Sequence, residues 1–274
     1  MSAQDDASFA PGPVAAVQDE LQPSVRSGES AASARSRVID QLVKTCRRPG
    51  RIWRLGDPGL GKVILDTVRQ PGTWSQEVRL GLRVRRYGNY GTYLRHQMAK
   101  PHSSIDPDHD ERFRAALATR LRGEPRVTAG LSVLCLGARW GTEVKAFHDL
   151  GCFAVGVDIK PGAGTAIVLQ GDFHNLAFPA KSVDIVYTNS LDHAADIERL
   201  LAEILRVVKP DGSVLVEAVL GRAQGHPPGT YESFYWESID DLVNLLVVKG
   251  LRLVRRSAFD QPWTGEHLVL APGA

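Results

Sequence analysis

Sulfur is scarce in this sequence, with three cysteines and two methionines among 274 residues. Cys46, Cys135 and Cys152 show no metal-ligand spacing, which removes the ground for a zinc framework. Cys135 and Cys152 fall in or beside apolar runs, as buried free thiols do. The sequence also lacks any apolar run of about 18 residues, so no membrane span is expected. Its opening stretch, MSAQDDASFAPGPVAAVQDE, is acidic and lacks the basic start and apolar segment of a secretory signal. These absences point to a reducing, cytoplasmic setting.

An excess of either charge is nearly absent overall, since 33 Lys and Arg face 31 Asp and Glu for a formal net charge of +2. The charge is unevenly spread. Residues 41–100 hold 13 Lys and Arg against 3 Asp and Glu, a local net of +10 that leaves −8 for the remainder. A basic segment joined to a mildly acidic domain can draw in an anionic partner, or can simply balance its acidic neighbour.

Residues 1–35 have few large apolar side chains and read as a disordered tail. Residues 36–123 read as a basic helical extension or lid, broken at Pro49-Gly50, Pro58-Gly59 and Pro71-Gly72. It ends in DPDHDERFRAALATRLRG, whose acidic start and basic end suit a helix. Within it, GDPGLGKV (56–63) imitates a phosphate-binding loop, but Val63 replaces the required hydroxyl and RIWRL is a poor preceding strand. We read it as a turn.

Residues 124–274 form the main domain, where short apolar runs alternate with amphipathic segments. Strands are expected at 132–136, 153–159, 166–172, 182–190 and 213–219, with helices at 142–151 and 197–209 and a tight turn at 210–212. That rhythm implies α/β architecture with parallel βαβ units and helices on both faces. The ending differs: after a helix at 238–250, strands at 251–259 and 266–271 are too close for a crossover and should pair antiparallel.

Ligands of an open parallel sheet bind beyond the carboxyl ends of its strands. Gly137 and Gly141 follow the first strand, Asp158 closes the second, Asp172 and Phe173 follow the third, and Asn189, Asp192 and His193 follow the fourth. The turn G-A-R-W-G lacks the middle glycine of the dinucleotide fingerprint, but an acid such as Asp158 suits a ribose diol.

On these residues, with GDFHNLAFP and LRVVKPDGSVLVE, the segment from Leu131 to Ala271 resembles the seven-stranded class I methyltransferases. It is similar to a bacterial and plant subset with CLGARxGxEV, GDxH and NxxDHA signatures, here at Cys135–Val144, Gly171–His174 and Asn189–Ala194. The resemblance implies a Rossmann-like, mostly parallel sheet with an antiparallel last strand and S-adenosyl-L-methionine as cofactor. It implies cofactor contacts from Gly137, Ala138, Arg139, Gly141, Asp158, Ile159, Asp172, Phe173 and Asn189. Two departures stand out: Cys135 replaces an acidic residue and Arg139 a glycine.

The implied reaction is methyl transfer to a small or medium-sized acceptor, read as O-methylation of a sugar, lipid-linked glycan or natural-product hydroxyl. His193 is the candidate catalytic base, with Asp192 either orienting it or capping the next helix. Asp172, Asp192 and His193 are able to ligate a divalent metal, although no spacing demands one. His174 and Trp140 either line the pocket or merely pack. Aromatic stretches with Tyr87, Tyr90, Tyr93 and His96, and with Tyr231, Phe234, Tyr235 and Trp236, suit a lid over the acceptor. An RNA methyltransferase using the basic region is the second reading. A non-catalytic binding protein with the same fold is the third.

Overall fold

The structure, a computed structural model, describes residues 72–75, 81–100 and 107–273. Its main sheet takes strands β3 (Ser132–Leu136), β4 (Phe153–Asp158), β5 (Val168–Gln170), β6 (Val183–Thr188), β7 (Val208–Val219), β9 (Leu251–Phe259) and β10 (Gly265–Pro272). Their spatial order is β5-β4-β3-β6-β7-β10-β9. The first five pair in parallel, whereas β10 runs antiparallel to both β7 and β9. The expected mostly parallel sheet with an antiparallel last strand is what forms.

Helices cover both faces because successive side chains of a strand point to opposite sides. Leu134, Leu136, Val186, Val214 and Val216 pack with α4 (Ile197–Val207) and α5 (Ile239–Val248). Val133, Cys135, Ile185, Tyr187 and Leu215 pack with α2 (Pro107–Arg122) and α3 (Thr142–His148). Cys135 and Cys152 are buried free thiols.

Two expectations need correction. The helix expected to 209 ends at Val207, and β7 runs from Val208 straight through the supposed turn. Pro210 cannot continue a helix, and a Cβ on Gly212 would lie 2.6 Å from the Asp184 carbonyl oxygen, so only glycine lets the chains approach.

The extension is not purely helical either. Besides α1 (Tyr90–Met98) and α2, it holds β1 (Thr73–Trp74) and β2 (Leu82–Arg86). These join β8 (Phe234–Trp236) in a three-stranded antiparallel sheet. Leu82 is buried in the core, and Arg85 is only 2% exposed. Its guanidinium lies 4.5 Å from the Trp74 ring centroid, while its Nε donates to the Glu232 carbonyl at 3.0 Å. An arginine that would ordinarily face solvent is thus held inside, and the strand hides behind its charges. The tail at 1–35, Cys46 and the loop-like stretch 56–63 lie outside the described residues. No described helix is long and apolar enough to cross a membrane.

Candidate active site

The carboxyl ends of β3 and β4 open into a solvent-connected cleft, where ligands of an open parallel sheet bind. From the sheet it is lined by Gly137, Arg139, Asp158, Ile159, Lys160, Phe173, Ser190 and His193. Tyr93, Gln97 and Lys100 line it from α1 and the residues just past it.

Gly137 has φ +72°, and a Cβ there would fall 2.6 Å from that of Ser190, so the turn admits glycine alone. Arg139 takes φ +35°, in the region that favours glycine. That backbone turns its N–H onto Asp158 Oδ2 at 3.1 Å, while the Lys160 N–H donates to Oδ1 at 2.7 Å. Burial raises the Asp158 pKa, opposed by these two hydrogen bonds. A carboxylate is therefore aimed and fixed at the end of β4, where the resemblance expects one.

Residues 134–216 match the family described as Methyltransferase domain, which covers β3 to most of β7 and so contains the whole sheet side of this cleft. Residues 134–216 thus carry a methyltransferase domain. No curated protein matches the sequence. Among solved structures the chain is similar to the 1,6-didemethyltoxoflavin-N1-methyltransferase of Burkholderia thailandensis, solved with 1,6-didemethyltoxoflavin and S-adenosylhomocysteine bound. Identity is 17%, over 73% of this chain and 99% of that one, with a TM-score of 0.55. An Aquifex aeolicus SAM-dependent methyltransferase shares 16% identity over 61% of this chain and 98% of its own, at a TM-score of 0.48. At such identities the likeness speaks for the fold.

Within the methyltransferase domain, several expected cofactor residues stand behind the cleft. Ala138 is buried, and a Cβ on Gly156 would fall 2.7 Å from its own. Gly141 is left-handed and backs onto Ile167. Trp140 lies over Gly162, in the loop after β4, and does not line the cleft. Asn189 donates from Nδ2 to Glu143 Oε1 at 3.2 Å. Burial pushes the pKa of Glu143 up to about 8.

Asp172 is committed elsewhere too. Its Oδ1 accepts the His174 amide and the His174 Nδ1–H, each at 2.9 Å, and its Oδ2 accepts the Tyr90 hydroxyl. The proton is assigned to Nδ1 because Nε2 accepts the Asp196 amide at 3.3 Å. Burial acts to raise the Asp172 pKa, but these hydrogen bonds prevail and hold it at about 2. Asp172 and the buried His174 thereby clasp α1 to the sheet.

His193 faces the cleft, but Asp192 does not orient it: Asp192 Oδ1 stands 4.0 Å from His193 Nε2. The Tyr231 carbonyl does so, accepting from His193 Nδ1 at 3.0 Å. Nε2 instead receives Lys100 Nζ at 3.0 Å. Burial, then Lys100, push the His193 pKa down to about 4. Nor does Asp192 cap the next helix, since Asp196 accepts the Arg199 amide there at 3.0 Å. Asp192 instead lines a second cavity with Asn189, Glu217, Trp236 and Trp263. Its Oδ1 is buried without a hydrogen-bond partner among the described residues, and burial pushes its pKa up to about 6. No three His, Cys, Asp or Glu side chains gather as a metal centre among the described residues.

The two aromatic stretches do meet. Tyr87 Oη bonds His96 Nδ1 at 3.0 Å and Ser233 Oγ at 2.9 Å, and His96 stacks on Tyr231 with centroids 5.2 Å apart. Sequence reasoning missed Gln97, Lys100, Lys160 and Ser190 in the cleft. Lys160 and Ser190 each sit next to a strand end already singled out, which was signal enough to include them.

Proposed function

We propose that the cleft holds S-adenosylmethionine and transfers its methyl group to the hydroxyl of a small or medium-sized acceptor, such as a sugar, a lipid-linked glycan or a natural product. The supporting observation is that Asp158 and His193, from the ends of β4 and β6, face one cleft beneath Tyr93, Gln97 and Lys100. The residues fit the cofactor's chemistry. Asp158 offers acceptor oxygens to a ribose diol, Ile159 and Phe173 offer apolar walls to adenine, and Arg139 offers a cation to a carboxylate. Ala138 and Gly141 shape the turn, while Asp172 and Asn189 support the cleft from behind.

When bound, the cofactor supplies a methyl group on a good leaving group. The protein's task is alignment and exclusion of water, which Tyr93, Gln97 and Lys100 serve over the sheet side of the cleft. His193 marks the corner of the cleft where the acceptor's proton is received, and Asp192 stands behind it, 4.0 Å from Nε2.

Calorimetry with S-adenosylmethionine and S-adenosylhomocysteine tests the cofactor reading. Micromolar binding is expected, weakened by about tenfold or more in Asp158→Ala, equivalent to about 1.4 kcal/mol. No heat and no thermal shift with either ligand would overturn it. A panel of phenols and sugars, with radiolabelled methyl donor, then identifies an acceptor.

A further inference from the structure

Lys100 lies in the basic stretch outside the family match, yet it is half-buried and turned into the wall of the cleft rather than spread over the surface. Its Nζ sits 3.0 Å from His193 Nε2 in the wall of the cleft. Because His193 Nδ1–H is spent on the Tyr231 carbonyl at 3.0 Å, Nε2 is the lone-pair nitrogen, and Lys100 must be the donor between them. The Lys100 backbone is held as well. Its carbonyl accepts from Lys160 Nζ at 3.4 Å and Arg139 Nη2 at 3.5 Å, and the Met98 carbonyl accepts from Lys160 Nζ at 2.6 Å.

We propose that Lys100 Nζ is the catalytic group that takes the acceptor's proton, and that His193 is the positioning residue that holds it. This rests on the methyl-transfer reading above. One N–H of the neutral amine is directed at His193, which leaves its lone pair free for the cleft. The acceptor oxygen bonds to the methyl carbon as the carbon–sulfur bond breaks, and that bond's electron pair stays on sulfur. The O–H proton moves to the Nζ lone pair, giving an ammonium that solvent later neutralises. The charged groups around Lys100 are Arg139, Lys160, Asp158, Asp192 and Glu232. Burial lowers its pKa, against the attraction of Glu232 and with the repulsion of Arg139. That favours the neutral amine which a base requires.

Competitive acetylation of the full chain with acetic anhydride from pH 6 to 10, read by mass spectrometry, tests this without an acceptor. Lys100 is expected to reach half-reactivity about one pH unit or more below the chain's other lysines. His193→Gln is expected to shift that midpoint, while the other lysines stay put. A Lys100 that titrates with the rest, or that never reacts, overturns the assignment. With an acceptor from the panel, Lys100→Ala should lower kcat by about a hundredfold. It should also remove the acidic limb of the pH–rate profile. A wild-type rate in that variant overturns the assignment equally. Failure of S-adenosylhomocysteine to bind would instead strike the cofactor reading and leave the lysine titration standing.

Discussion

Two carboxylates line the second cavity, and their surroundings could hardly differ more. Glu217, near the end of β7, is buried. Arg120 grips it through Nε at 2.6 Å and Nη2 at 2.9 Å, Tyr187 Oη donates at 3.1 Å, and His267 Nδ1 lies 3.2 Å away. Burial would raise its pKa, but His267 and Arg120 prevail and hold it below the ordinary glutamate range. Asp192 has a bare, buried Oδ1 and a pKa pushed up to about 6. The first group is fully partnered and ties β7 to α2 and β10. The second is under-partnered, a cost a fold tolerates where chemistry is done.

Breaking Glu217 should give the largest effect on stability. Glu217→Gln removes one partner of a buried ion pair and leaves Arg120 without its counter-charge, a loss of about 3–5 kcal/mol. Urea unfolding at neutral pH checks it. Since the folded pKa of Glu217 lies below its unfolded value, its contribution is complete above the unfolded value. It fades as pH falls through the folded one.

Asp192→Asn should act in the opposite direction. A carboxyl with a raised pKa weakens the folded state as pH climbs from the ordinary 3.8 through about 6. At pH 7.5 the amide should therefore stabilise the fold by about 1–3 kcal/mol while slowing turnover, a trade common at active sites. A drop in melting temperature would show that Asp192 is structurally satisfied after all.

The smallest effect tests a third carboxylate. Tyr90→Phe removes one hydrogen bond from Asp172, an ionised acceptor, and should cost about 1.5 kcal/mol. Hydrogen exchange should rise in α1 and leave the main sheet unchanged if the clasp acts as described.

The same contrast governs what could be read from the sequence. The parallel strands of the main sheet were legible because their buried stretches are short apolar runs bounded by turn residues, and Asp158 was legible because it closes one. Strand β2 was not, since L-R-V-R-R reads as surface until Trp74 and the Glu232 carbonyl are seen to take up Arg85. The contact of Asp172 with Tyr90 was not legible because the two lie 82 positions apart. Lys100 was invisible among neighbouring basic residues, where one cation resembles another. Long-range pairing of charges, unlike apolar alternation, leaves no periodic trace.

The two borders of the main sheet carry a last consequence. A border strand exposes unpaired backbone groups on which another chain can polymerise. On one side β5 is only three residues long, too short to template much. On the other, nine-residue β9 carries exposed Arg252, Arg255 and Arg256. A second copy approaching edge to edge would have to desolvate Arg252 and disturb the ion pairs of Arg255 with Glu124 and of Arg256 with Asp240 and Glu266. Brevity guards one border of the sheet, and the cost of burying solvated and paired charge guards the other.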